Sequence, residues 1–228
     1  MVKQSKRMQE AIAGIDRSKV YEVAEALTLL KSLPAAKFDE TVDIVVRLGI
    51  DPKKSDQLVR GAVSLPKGIG KTIKVIVFAE GDKADAAREA GADEVGSDDL
   101  AEKIAGGWMD FDVCIASPDM MRHVGKLGKV LGPQGKMPSP KSGTVTPNVA
   151  QAVEEFKAGK VEFRTDAGGN VHAGLGKRSF SVEDLEANLS AFLDNLIGMR
   201  PPVVKGEFLK KISISTSMGP GAWIQYGA

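Results

Sequence analysis

The segment from Arg122 to Gly143 is rich in cations and glycines and contains no acidic residue. Its cations are Arg122, Lys126, Lys129, Lys136 and Lys141. Glycine lets a main chain approach a ligand closely, so such a segment can lie against a phosphate backbone. A flexible, solubilising loop has the same composition, and the sequence leaves both interpretations open.

Two shorter patches carry groups that suit nucleic acid. Ser215–Pro220 places three hydroxyls beside Met218 and Gly219, and residues 37–41 read Lys-Phe-Asp-Glu-Thr at a joint between helix and strand. Hydroxyls and exposed amides can bind 2′-hydroxyl and phosphate groups, and a thioether can pack on a base or sugar. Taken by itself, the Ser215–Pro220 patch is more typical of an ordinary β-turn.

The sequence offers little for catalysis. Gly70-Lys71-Thr72 resembles the end of a phosphate-binding loop, but Leu65 stands where its first glycine belongs, and a strand follows rather than a helix. Gly174-Leu-Gly176 lacks the third glycine of a dinucleotide motif, and we interpret it as a turn. His123 and His172 are the only histidines, so we expect no metal, no cofactor and no catalytic constellation.

Composition says more about where the protein is located than about what it does. Cys114 is the only cysteine, so it cannot form an internal disulfide, and its apolar surroundings predict a buried strand. No apolar run approaches the roughly 20 residues of a membrane helix, so we expect a cytoplasmic protein that spans no membrane. Residues 1–66 and 160–228 together carry 19 basic and 16 acidic side chains, against 12 and 14 between them. This small asymmetry decides nothing about nucleic acid.

The two ends of the chain share one pattern of elements. Apolar spacing predicts helices over 8–15 and 23–30, and alternation predicts strands over 41–50 and 59–65. After residue 160 we expect two strands that form a hairpin around Gly168-Gly169, a helix from Ser181, and strands over 207–216 and 222–225.

The middle of the chain has a different pattern. Apolar strands over 73–79, 94–96 and 111–116 alternate with helical stretches, which predicts βαβ units and a small parallel sheet. The fold class is therefore α/β, with an outer domain made of residues 1–66 and 160–228 and an inserted doubly wound domain made of residues 67–159. Pro66–Lys71 is rich in glycine and proline and predicts a hinge-like linker.

These pieces, in this order, resemble the bacterial large-subunit ribosomal protein one family, which forms the mobile stalk beside the tRNA exit site. The similar stretches span the chain: 36–42 (AKFDETV), 48–57 (LGIDPKKSDQ), 59–66 (VRGAVSLP), 107–112 (GWMDFD), 127–138 (LGKVLGPQGKMP) and 216–220 (TSMGP). The resemblance implies a discontinuous α+β outer domain of split β-α-β type with an inserted Rossmann-like, three-layer domain.

The resemblance also implies function and partners. The family binds large-subunit ribosomal RNA within the rest of the large subunit, contacts exit-site tRNA and assists release of deacylated tRNA. Many members repress translation of their own operon messenger RNA. We therefore expect a cytoplasmic, ribosome-associated protein that is a monomer when free and uses no cofactor.

Site residues follow from the same resemblance. The implied RNA-binding residues are Lys37, Phe38, Glu40, Thr41, Thr216, Ser217, Met218 and Gly219, with Arg164 and His172 on the expected hairpin as weaker candidates. Lys53, Lys54 and Arg60 correspond to cations that the family presents toward tRNA. Ser217 departs from the family, which usually has threonine there, so a hydroxyl is kept and a methyl contact is lost.

Three hypotheses thus stand side by side: a ribosomal RNA-binding protein with a role in translational control, a nucleotide-dependent enzyme that uses the central sheet, and a protein-interaction scaffold. The broken glycine motifs and the missing catalytic constellation count against the enzyme. The turn at 215–220 is hard to explain for a scaffold without RNA.

Overall fold

The structure is a computed structural model that describes residues 4–226. The described helices are α1 Lys6–Ala13, α2 Val23–Ser32, α3 Asp82–Glu89, α4 Asp98–Ala105, α5 Met121–Lys126, α6 Gly128–Leu131, α7 Val149–Ala158 and α8 Val182–Gly198. The described strands are β1 Val20–Tyr21, β2 Thr41–Leu48, β3 Arg60–Ser64, β4 Val75–Phe78, β5 Glu94–Gly96, β6 Val113–Ala116, β7 Lys160–Arg164, β8 Asn170–Lys177, β9 Leu209–Thr216 and β10 Gly221–Ile224.

The chain divides into two compact units. The outer unit contains Met1–Gly70 and Val161–Ala228, and the inserted unit contains Lys71–Lys160. The sequence placed the first joint after residue 66, whereas the outer unit continues to Gly70. The buried Asn188 explains this: its carboxamide accepts from the Lys67 amide at 3.0 Å and donates to the Gly68 carbonyl at 2.9 Å. The start of the predicted linker is therefore anchored to α8.

The outer unit is built on a five-stranded sheet in the order β1-β10-β9-β2-β8. β2 lies between β8 and β9, antiparallel to both, and its apolar residues alternate as the sequence predicted. Ile44 and Val46 point into a core shared with Leu189 and Phe192 of α8, while Arg47 is exposed on the other face. The two ends of β2 therefore position residues 37–40, which precede the strand, and the turn that follows it.

The Gly174-Leu-Gly176 motif is part of β8, so the predicted turn is wrong. Val42 of β2 pairs with Gly176 and Asp43 pairs with Gly174, which leaves one extra residue in β8. This is a β-bulge, and Gly176 takes a φ of 155° there. A side chain at Gly176 would press on Phe180 and Leu185, so the glycine permits close packing of β8 against the start of α8.

The predicted hairpin of β7 and β8 is also wrong. The turn forms, because the Asp166 carboxylate accepts from the amides of Gly168 and Asn170. The strands then diverge: β7 pairs with β3 in a separate two-stranded sheet, and a single bridge between Thr165 and Val171 joins it to β8. Arg164 and His172 therefore lie in different sheets.

The inserted unit contains a parallel sheet in the order β5-β4-β6. All four residues of β4 are buried, and Ile76 and Phe78 pack with Leu100 and Ile104 of α4. Cys114 lies buried in β6, as predicted. The basic segment 122–143 is not one loop, because α5 and α6 occupy its first half.

Candidate nucleic-acid interface

The two short patches singled out by their chemistry meet at one end of the outer sheet, where β2 begins and β9 ends. β2 begins at Thr41 and runs antiparallel to β9, with Val42 opposite Thr216. Just beyond this pair, the Ser217 amide donates to the Thr41 carbonyl at 3.0 Å, and the Thr41 amide donates to Ser217 Oγ at 3.0 Å across 176 residues of sequence. We call residues 37–41 and 216–219 the joined surface.

The side chains of the joined surface divide into those that hold it and those that face solvent. The Ser217 hydroxyl also lies 3.3 Å from the Thr41 carbonyl, and Lys177 Nζ donates to Thr41 Oγ1 at 3.1 Å. Phe38 and Met218 are exposed at 56% and 50%, although both are large and apolar. The surface therefore offers apolar side chains to a ligand and uses its hydroxyls largely within the protein.

Glu40 is a fully buried carboxylate beneath this surface. Its oxygens accept from the Ala36 amide at 2.6 Å and from the Met218 amide at 3.3 Å. Burial alone would raise the pKa of the Glu40 carboxyl, but hydrogen bonds from the Thr216 hydroxyl and these two amides, with the charge of Arg178, outweigh burial and hold the pKa below its ordinary value. Glu40 is therefore ionised at neutral pH, and its hydrogen bonds hold the turn from below.

Thr216 and Gly219 complete the turn. Thr216 is almost wholly buried, and a Cβ placed at Gly219 would lie 2.3 Å from its Oγ1 atom. No real Cβ atom approaches an oxygen so closely, so only glycine fits while Thr216 keeps its place. The shape of the turn thus depends on both residues.

Two arginines that the sequence did not single out lie beside Glu40 and the turn at Met218. Arg7 of α1 donates to the Met218 carbonyl at 2.9 Å, and its Nη1 atom lies 3.8 Å from Glu40 Oε1. Arg178 Nη1 lies 3.9 Å from the same oxygen, and the Arg178 amide donates to the Glu40 carbonyl at 2.8 Å. Arginines on an amphipathic helix or in a turn usually point to solvent, so only the fold shows that Arg7 and Arg178 flank a buried carboxylate.

The sequence of the chain matches a known protein family over most of its length. A family model described as "Ribosomal protein L1p/L10e family" matches residues 29–220. The chain belongs to this family. The resemblance stated from the motifs is thereby confirmed, and the family consists of ribosome-associated cytoplasmic proteins, not enzymes.

Curated relatives match the chain over nearly its whole length. It is 56% identical over 225 residues to the large ribosomal subunit protein uL1 of Azoarcus sp. strain BH72, covering 99% of this chain and 97% of the relative. It is 59% identical over 225 residues to the uL1 protein of Bordetella pertussis strain Tohama I, with the same coverage. The uL1 protein of Chromobacterium violaceum is 56% identical over 222 residues, covering 97% of this chain and 96% of the relative.

In this L1-family chain, His172 and Arg164 lie away from the joined surface. His172 is exposed on β8 opposite Val45, four positions along β2 from Thr41, and its Nε2 atom lies 3.2 Å from Asp166 Oδ2. Arg164 is exposed at the end of β7, in the two-stranded sheet. The structure therefore gathers the two turns but does not bring these candidates to them.

The cations assigned to tRNA lie at the other end of β2. Lys53 and Lys54 are exposed in the turn after β2, and Arg60 begins β3 with its guanidinium 3.9 Å from Glu162. Eight strand residues separate this end from Thr41, which is about 23 Å of extended chain. The joined surface and the turn with Lys53 and Lys54 therefore lie at opposite ends of β2.

The basic segment lies in the inserted unit and is partly structural. Lys136 donates to the carbonyls of Phe111 and Met109, the latter at 3.1 Å, so this cation is held by the protein. A Cβ at Gly125 or Gly128 would meet nothing within 4 Å, so the fold itself does not require glycine there. The helical start of the segment leaves Arg122, Lys126 and Lys129 exposed.

Residues 4–226 contain no helix that is both long and apolar enough to cross a membrane. Across the same part of the chain, no group of three or more His, Cys, Asp or Glu side chains is arranged to hold a metal ion.

Proposed function

We propose that this chain is a constituent of the large ribosomal subunit that binds a folded segment of large-subunit ribosomal RNA through the joined surface. Its relatives are named large ribosomal subunit proteins. The observation that carries the proposal is the pairing of Thr41 with Ser217, which makes one surface from two patches that are remote in sequence.

The joined surface suits RNA recognised by shape. Phe38 and Met218 offer apolar area that can lie on a base or a sugar, and the polar main chain at Gly219 lies beside them. Lys37 is exposed and supplies a cation for a phosphate. In this proposal, Glu40, Thr41, Thr216 and Ser217 hold that shape, and the ligand meets the residues around them.

We propose that the opposite end of β2 contacts exit-site tRNA. Lys53 and Lys54 are exposed there, and neither forms an ion pair among the described residues. A tRNA at this end and ribosomal RNA at the joined surface would bind without overlap. This arrangement supports a mobile stalk that holds RNA at one end while it assists release of deacylated tRNA at the other.

Repression of the chain's own operon messenger follows from the same surface. A messenger segment that reproduces the ribosomal RNA fold would bind the joined surface in its place, so the two RNAs would compete for one site. Free protein, which we propose is a monomer, would then bind messenger only when ribosomal RNA is scarce.

For the inserted unit we propose a Rossmann-like, doubly wound fold without nucleotide chemistry, and for the outer unit a split β-α-β type. The parallel order β5-β4-β6 supports the first. No helix follows Gly70-Lys71-Thr72, which leads into β4, and Lys71 pairs with Asp112 at 2.7 Å. A nucleotide-dependent enzyme therefore lacks its phosphate loop.

Hydrogen exchange of the full chain tests the proposal. With a folded fragment of large-subunit ribosomal RNA, we expect amides of residues 37–41 and 215–220 to gain protection together, while residues 71–160 stay unchanged. A fragment of the operon messenger should compete with the ribosomal RNA fragment and displace it from the protein. Protection confined to residues 71–160 would overturn the assignment.

A further inference from the structure

A groove lies along the outer sheet at the edge where β1 pairs with β10. It encloses about 510 Å³, and its lining includes Arg17, Val20, Lys210, Lys211, Trp223 and Tyr226. Val20 lies beside Trp223 in the parallel pair, and Trp223 lies opposite Ser213 of β9. The groove is therefore built by three strands, and its volume is in the range of sites that hold small organic groups.

An exposed aromatic ring forms one wall of the groove. Trp223 is 39% exposed and Val20 is 55% exposed, so the sheet leaves two large apolar side chains uncovered at this edge. Tyr226 is held in place by its hydroxyl, which donates to Asp194 Oδ1 at 2.8 Å. Lys211 Nζ lies 5.5 Å from the centre of the Trp223 ring, so the electron-rich face of the indole already attracts a cation.

The charge of the groove is positive. Arg17, Lys210 and Lys211 line it together with one acidic residue, Glu207. In residues 4–226, none of these three cations forms an ion pair with a carboxylate. Unneutralised cations around an exposed indole match a ligand that combines negative charge with flat rings, and single-stranded nucleic acid has both.

We propose that this groove binds unpaired nucleotides of RNA, with a base stacked on Trp223 and phosphates near Arg17, Lys210 and Lys211. The choice of RNA among polyanions rests on the proposed function of the joined surface. Lys211 and Thr216 are five residues apart on β9, about 17 Å in an extended strand. A few unpaired nucleotides can span that distance, so one RNA can use both places.

Tryptophan fluorescence of the full chain tests the proposal. The Trp108→Phe variant leaves Trp223 as the only tryptophan, and Trp108 lies in the inserted unit. We expect an oligouridylate of eight nucleotides to quench Trp223, and inorganic polyphosphate of equal charge to quench it much less. Absence of quenching by oligouridylate would overturn the proposal. Equal effects of polyphosphate or of oligoglutamate would show a general anion site or an acidic-peptide site, and would overturn it as well.

Variants separate this groove from the joined surface. Trp223→Thr should weaken binding of labelled oligouridylate about tenfold or more, because stacking on an aromatic side chain contributes strongly to single-strand affinity. Lys210→Ala should reduce the salt dependence of the same binding, and thermal unfolding checks that each variant folds. Met218→Asp should lose binding of folded ribosomal RNA and keep binding of oligouridylate. Intact oligouridylate binding in Trp223→Thr would contradict the groove, and loss of folded RNA binding in Met218→Asp would still leave the proposed function standing.

Discussion

Glu40 illustrates how a buried residue can support a proposed binding surface from beneath it. The resemblance placed it among RNA contacts, yet its carboxylate is fully buried between Arg7 and Arg178. A buried charge is tolerated only when it is paired and hydrogen-bonded, and amides from Ala36 and Met218 supply those bonds. We infer that Glu40 sets the position of Met218, and that the RNA meets Met218.

This role predicts how Glu40→Gln behaves with pH. The folded-state pKa of Glu40 is lower than its ordinary value of 4.5, so its stabilisation is fully present above about pH 4.5 and is lost as pH falls through the folded pKa. At pH 7 the variant should lose about 3 kcal/mol of unfolding free energy, because two arginines lose their shared partner. Denaturant unfolding at several pH values should show the gap constant from pH 7 to 5.5 and shrinking below 4.5. Glu10→Gln, at an exposed position on α1, should change little at any pH.

Met218 is the residue whose effect on RNA should be most separable from stability. Because its side chain is half exposed, Met218→Asp should change the unfolding free energy by less than about 0.5 kcal/mol. It should weaken binding of folded ribosomal RNA at least tenfold, since a carboxylate would replace an apolar contact beside phosphates. Val203→Asp is the matched control, being exposed at 51% in the same unit, and should leave the affinity unchanged. Equal affinities of the two variants in a binding titration would remove Met218 from the site.

At the scale of elements, α1 acts as a brace for the turn between β9 and β10. Arg7 donates to the carbonyls of Met218 and Pro34, at 2.9 and 3.2 Å. Charged hydrogen bonds of this kind contribute about 1.5–3 kcal/mol each. The helix is only eight residues long, so its stability depends on such contacts more than on its own propensity.

Arg7→Ala should therefore loosen α1 and weaken RNA binding without any contact to RNA. We expect faster hydrogen exchange over residues 6–13 and an affinity for folded ribosomal RNA that is several-fold lower, while exchange in β2 and α8 stays slow. Lys6→Ala removes the same charge from the neighbouring exposed position and should do neither. If both variants lose the same affinity, Arg7 acts through charge alone and the bracing role is wrong.

The elements that sequence predicted well are those whose signal is local. β2 and α8 have long, regular apolar spacing, and the structure confirms both. The hairpin at Gly168-Gly169 failed because the turn signal was correct but strand pairing is not local: β7 pairs with β3, more than ninety residues earlier in the chain. The two-residue β1 was too short to predict. The patches at 37–41 and 215–220 were identified by composition, but their contacts with Arg7 and Arg178 required the fold.

At the scale of the whole molecule, weak net charge and RNA binding are compatible. The chain carries 31 basic and 30 acidic residues. Several cations interact within the protein: Arg7 and Arg178 lie beside Glu40, and Lys136 donates to backbone carbonyls. In the proposed complex, affinity at the joined surface would then come mainly from apolar contact and backbone groups, with few phosphates neutralised.

A binding surface with few cations predicts a shallow salt dependence for folded ribosomal RNA. If Lys37 and Lys177 are the main cations near the joined surface, log K should fall against log salt with a slope of about −2. Titrations from 50 to 300 mM salt measure the slope directly. Lys37→Ala should reduce its magnitude by about one, whereas Lys141→Ala, an exposed lysine of the inserted unit, should not change it. A slope of about −6 or steeper would mean that basic residues elsewhere, such as those of segment 122–143, carry the binding, and recognition by shape would be the wrong account of this surface.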